Sequence, residues 1–222
     1  MGSLDLAAIV RGIALWALPL LVAVILHEIA HGLVALRLGD DTARRAGRLT
    51  LNPLPHIDPI GTVLLPVSLL VAGAPVFGYA RPVPIDYRQL RDPRRGMVLV
   101  ALAGPLTNVG LAVGSAMVFR QLAPGAAAGT LPLVLGLVAL IAYHSVIVNV
   151  VLAVFNLLPI PPLDGGRVLA GLLPPRWSLV LERIEPFGIL IVLVLLLTVL
   201  WEFMEPAILA FNDFFFSIAG LP

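Results

Sequence analysis

Apolar residues fall in long runs separated by short polar connections. Ala7–Leu38 is apolar except for Arg11, a cluster at His27, Glu28 and His31, and Arg37 near its end. That run is long enough to cross a bilayer as a helix, with Pro19 as a kink and Gly39 as its stop. Gly96–Phe119 and Leu131–Leu158 are two further membrane-length runs, joined by the small-residue turn Pro124–Thr130. Pro186–Trp201 is the last, and Glu205–Pro222 reads as an aromatic interfacial tail. Thr62–Gly78 is apolar too, but Pro66 and Pro75 interrupt it, which predicts a re-entrant or surface hairpin. Arg48–Asn52 and Gly78–Tyr87 have an extended, β-like character. Pro159–Gly166 is a Pro-rich turn, followed by a short helix at Arg167–Leu173.

These elements predict an all-α polytopic membrane protein, a bundle of about four to six membrane helices with a re-entrant or surface hairpin and short β-like segments. We expect a single domain over residues 1–222, with a catalytic core over about 7–173 and a C-terminal helix and interfacial tail over about 178–222.

Composition agrees with a lipid environment. The chain is 59% hydrophobic and 12% charged, where soluble domains carry roughly a quarter charged residues. There is no cysteine, so a metal must be held by His, Asp or Glu and a nucleophile cannot be a thiol. The net charge of +1 gives no sign of a nucleic-acid partner. Charge distribution is more informative. Arg outnumbers Asp between residues 39 and 95, whereas the opposite side would carry Asp5, the uncharged 121–130 turn, Glu202, Glu205 and Asp213. The positive-inside bias therefore puts 39–95 in the cytoplasm.

The cluster in the first run supplies the chemistry. His27 and His31 are four residues apart and share one helix face, so both imidazoles can grip one Zn²⁺. Glu28 is then placed to take a proton from a zinc-bound water. Three ionisable groups inside a membrane-length run are costly without partners and a task. A third ligand must come from elsewhere, and His56, Asp58, Asp86, His144 and Asp164 are the candidates. Asp164 follows a long apolar helix in a rigid turn, and the residue itself leaves two readings open: metal ligand, or N-cap of the short helix after it. If Asp164 joins the metal, the two intervening crossings return the chain to the side where the first helix ends, and the hairpin must add no net crossing. Asn108 and Asn149 read as polar glue between helices, with contact to the site as the alternative; His144 reads as a bond to a neighbouring helix, and His56 as a turn-stabilising residue, with support or gating of the site as the alternative.

The HExxH of an early membrane helix, followed by Asn156-Leu157-Leu158-Pro159-Ile160-Pro161-Pro162-Leu163-Asp164-Gly165-Gly166, closely resembles the site-2 protease family of intramembrane zinc metalloproteases. Leu51–Gly61 and Phe77–Pro84 resemble its compact bacterial and archaeal branch, and larger members' PDZ and regulatory C-terminal modules have no counterpart here. The resemblance implies one Zn²⁺ per chain on His27, His31 and Asp164, with Glu28 as base and Asn156 supporting the substrate or oxyanion. It implies transmembrane protein substrates, a lipid bilayer as surroundings, and a multi-pass protein of a prokaryotic inner membrane with its site towards the cytoplasm. The extended pieces near 48–52 and 78–86 are expected to offer an edge to an unwound substrate. The competing functions are a catalytically silent relative that binds membrane proteins and a metal or solute transporter.

Overall fold

A computed structural model describes residues 6–73 and 78–218. The short lead at 1–5, hairpin residues 74–77 and the last four residues of the expected tail lie outside the described residues. Helix α1 (Leu6–Leu38) runs unbroken through Pro19 and ends at Gly39, whose φ of 116° is left-handed and suits a residue without a Cβ. A one-turn helix α2 (Thr42–Arg45) follows. A π-helical turn (Pro59–Leu64) leads into α3 (Leu65–Val71). Then come α4 (Pro93–Ala127) and α5 (Leu133–Asn156), and the short helices α6 (Asp164–Leu172) and α7 (Pro175–Ile184). Helices α8 (Gly188–Thr198) and α9 (Leu200–Ile218) are the last of the described elements.

Among the described residues, three helices are long and apolar enough to cross a membrane, over Leu15–Leu38, Pro93–Ala127 and Leu133–Asn156. A fourth span is possible by length if Pro175–Thr198 and Leu200–Ile218, bent by 78° where they meet, count as one. That is the lower end of the expected range, because the hairpin does not cross and the last run is broken. Helix α4 is central, packing against α1, α5, α6 and α9. Its buried Ala101, Gly104, Pro105, Asn108, Ala112 and Ala116 recur every three or four residues on one face. Such a stripe of small residues lets helix backbones approach closely, which is how membrane helices gain packing energy where lipid removes the hydrophobic drive.

The end of α1, the start of α4 and the end of α6 meet on one side, as the crossing argument requires. Arg91 N–H donates to Leu38 O at 3.0 Å, and the Arg94 guanidinium donates to Leu173 O. The start of α4 thus lies beside the ends of α1 and α6. Residues 57–80 leave and return at one place. Arg81 N–H donates to His56 O at 2.9 Å and Tyr79 N–H to Gly61 O at 3.0 Å, closing the base of the hairpin.

Two details differ from the expectation. No β-strand occurs among the described residues: 48–52 and 79–86 are extended or bent but pair with no neighbour in a ladder. Their prolines and their side-chain-to-backbone bonds take the place of strand pairing. The aromatic tail is also more than an interfacial segment. Leu200, Met204, Ile208 and Phe215 of α9 are buried against α5 and α4, while Trp201, Phe203, Phe211 and Phe214 face outwards.

Candidate metal centre

The helical spacing of His27 and His31 stacks both imidazoles on the face of α1 that meets α4. Their rings sit edge to face, with centroids 4.6 Å apart. Asp164 arrives from the turn after α5. That turn is folded tightly on itself: a Cβ on Gly165 would lie 2.2 Å from Leu157 O and 2.3 Å from Leu158 O. Only a residue without a side chain allows the reversal that brings Asp164 into the bundle. The two readings of Asp164 are separated here. The N-cap of α6 is Leu163, and the Asp164 carboxylate turns to the imidazoles. Its Oδ2 is 3.1 Å from His27 Nε2 and its Oδ1 is 3.3 Å from His31 Nε2. The two Nε2 atoms are 3.0 Å apart. All three side chains are buried, with exposures of 6–7%.

The polarity of this cluster follows from its partners. The Ser145 carbonyl can only accept, so at 2.8 Å it fixes the amide nitrogen of Asn149 as the donor. Asn149 Oδ1 then accepts from Asn108 Nδ2 at 2.9 Å. Asn108 Oδ1 is left facing His27 Nδ1 at 2.6 Å, so that nitrogen carries the proton. His31 Nδ1 likewise donates to the Val100 carbonyl at 2.7 Å. Both Nε2 atoms therefore present lone pairs to each other and to a carboxylate, whose Oδ2 has no hydrogen-bond donor. Converging acceptors are stabilised by a positive charge between them, a metal ion or a proton. Ligands around one tetrahedral Zn²⁺ at about 2.1 Å would stand about 3.4 Å apart, close to the separations found. His27, His31 and Asp164 also form the one group of three such side chains, among the described residues, that could hold a metal. The residues fit Zn²⁺ in their chemistry and spacing.

Helix α4 must come very close for this. A Cβ on Gly104 would lie 2.4 Å from His31 Nε2 and 2.5 Å from His27 Nε2. Gly104→Ala is expected to push the rings apart and weaken zinc binding by at least about tenfold, the scale on which disturbed ligand orientation acts. Competition with a chromophoric chelator measures this, and an unchanged affinity would show that α4 can yield.

Glu28 stands apart from the metal cluster. Its Oε2 accepts a hydrogen bond from Val83 N–H at 2.8 Å, so the extended segment 78–86 runs past the site. Val83 is buried, and its Cγ1 lies near Gly32 of α1, 3.2 Å from where a Cβ would stand. This backbone contact was not foreseeable, since an amide donor has no residue signature. With its N–H engaged on Glu28, Val83 does not offer that group to a substrate edge. Asn156 ends α5 half-buried, with its Nδ2 donating to Leu152 O at 2.9 Å within its own helix. His56 is buried and its Nε2 lies 3.0 Å from Thr50 O. His144 packs on the Trp16 ring, centroids 4.7 Å apart, with its Nδ1 2.7 Å from Leu140 O. Asp58 and Asp86 accept bonds from nearby backbone amides in their own turns.

Comparison with known proteins identifies relatives of the chain. Residues 128–199 match the sequence model of Peptidase family M50. "Putative zinc metalloprotease YwhC" of Bacillus subtilis is 42% identical over 196 residues, 85% of this chain and 84% of that protein. "Putative zinc metalloprotease Rip2" of Mycolicibacterium smegmatis is 35% identical over 179 residues, 80% of this chain and 64% of that protein. "Putative zinc metalloprotease MJ0611" of Methanocaldococcus jannaschii is 34% identical over 145 residues, 65% of this chain and 63% of that protein. No solved structure gave a significant match.

Proposed function

Because the chain belongs to peptidase family M50 and is a membrane-embedded zinc metalloprotease, we propose that it is an intramembrane endopeptidase hydrolysing peptide bonds in or near the transmembrane segments of membrane proteins. His27, His31 and Asp164 hold the metal and Glu28 moves the proton. The observation that carries this reading is a buried group of three metal-binding side chains in a chain that has, among the described residues, three or four helical spans long and apolar enough to cross a membrane. When bound, Zn²⁺ supplies Lewis acidity, making a water acidic near neutral pH and polarising a carbonyl.

The chain's own residues do the rest. Asn108 and the Val100 carbonyl hold the imidazoles in one tautomer and orientation. The Val83 amide steadies one oxygen of Glu28. Glu28 accepts a proton from the attacking water and returns it to the leaving amine nitrogen. For Asn156 to support the substrate or oxyanion, its amide must exchange its bond to Leu152 O for one to the substrate. The Arg excess in 39–95 supports a cytoplasmic location for the site and insertion in a prokaryotic inner membrane.

The test uses purified protein in detergent with a single-span substrate. Cleavage in or next to the apolar stretch, mapped by mass spectrometry, is expected to stop with 1,10-phenanthroline and return with added zinc. Cleavage confined to water-soluble polypeptides, or indifferent to the chelator, would sink the proposal.

A further inference from the structure

Arg48 is an anomaly outside the metal centre. It is buried, with 8% exposure, yet no carboxylate pairs with it among the described residues. One guanidinium nitrogen, Nη2, donates to Arg81 O at 2.6 Å, and the buried Nε has no partner. Burial, and then the neighbouring Arg81 guanidinium, lower its pKa from the ordinary arginine value, while Glu28 acts in the opposite sense. Buried arginines are nearly always paired, because desolvating a cation is costly. The Arg81 side chain also lacks an ion pair among the described residues. Both arginines line one cleft of about 420 Å³, together with Ala46, Pro55, Pro82 and Pro84. Two cations lining a proline-walled space, neither of them ion-paired among the described residues and with Glu28 acting on Arg48 only through space, make a site for an anion.

The position of the cleft says which anion. Its wall, Arg81, Pro82 and Pro84, brackets Val83, the residue whose amide holds Glu28. A chain lying at the base would therefore pass this cleft. We propose that the Arg48–Arg81 cleft binds a carboxylate of the substrate, so that the enzyme selects segments with an acidic residue on the flank next to the cleaved bond. The proposal rests on the reading of the protein as an intramembrane endopeptidase with 39–95 in the cytoplasm. Cytoplasmic flanks of membrane segments are rich in Lys and Arg. An acidic residue there is a discriminating mark, and the cleft repels the common alternative.

The test separates binding from catalysis. Zinc-loaded Glu28→Gln protein, in zwitterionic detergent, is titrated with labelled single-span peptides. These are identical except for one Glu or Gln at successive flanking positions. At one position the Glu peptide is expected to bind about tenfold more tightly than the Gln peptide, the scale of a charge-assisted hydrogen bond. Arg48→Met and Arg81→Gln should each bring that ratio towards one. Arg81 is exposed, so its replacement reports even if the Arg48 variant fails to fold. The inference is overturned if no position prefers Glu, or if the preference survives Arg81→Gln. It is also overturned if phosphatidylglycerol competes with the Glu peptide, which would make a lipid phosphate the occupant. Loss of the preference while wild-type protein still cleaves would leave the protease reading intact.

Discussion

Glu28→Gln protein is expected to keep its zinc and lose peptide-bond cleavage by about 10²- to 10⁴-fold, the usual worth of a positioned acid–base group. The geometry explains why the lesion should be confined to chemistry. A glutamine at this position retains a carbonyl oxygen, which can still accept from Val83 N–H at the 2.8 Å contact. Shape and volume are kept, and the cluster of His27, His31 and Asp164 does not include this side chain. What disappears is the ability to take up a proton. Turnover of a single-span substrate, together with zinc analysis, reads both halves. Wild-type cleavage rates in the variant would remove Glu28 from the mechanism.

The second large effect is expected at Asp164. Asp164→Ala should lower zinc affinity by more than about 100-fold, beyond the effect of disturbing a ligand's outer partner, because it removes the single anionic donor from the cluster. Two neutral imidazoles remain, held by Asn108 and Val100, and bind a metal far more weakly. Asp164→Asn gives a gentler version, retaining the turn and its packing while removing the charge. Since Asp164 does not cap α6, neither change should unwind that helix. Metal analysis after dialysis against a chelator distinguishes the outcomes, and unchanged zinc content and affinity would mean that another group completes the site.

Much of this was readable from the residues, for identifiable reasons. His27 and His31 were legible because helical periodicity fixes their common face. The return of Asp164 was expected from the family motif, and the crossing count, which took that return as its premise, then asked that the hairpin add no net crossing. Asn108 and Asn149 do link helices, but Asn108 also touches the site through His27, the less favoured of its two readings, and the direction of these hydrogen bonds depends on the Ser145 carbonyl and has no trace in residue order. Val83 acts through its backbone, so its identity carries no information. Residues 48–52 and 79–86 illustrate the opposite failure. Their composition suggested strands, but strand structure needs a partner edge, and here the hydrogen-bond partners are the side chains of a glutamate, an arginine and an aspartate.

The chain of bonds from Ser145 through Asn149 and Asn108 to His27 also sets a mechanical limit. It joins α5 to α4 and α4 to α1, and each link is a buried polar contact that would be left unpaired if the seam opened. In hydrocarbon no water is at hand to replace it. Helices α1, α4 and α5 are therefore tied into one block beside His27, His31 and Asp164, and under the proposed reading a substrate segment reaches the site without parting them.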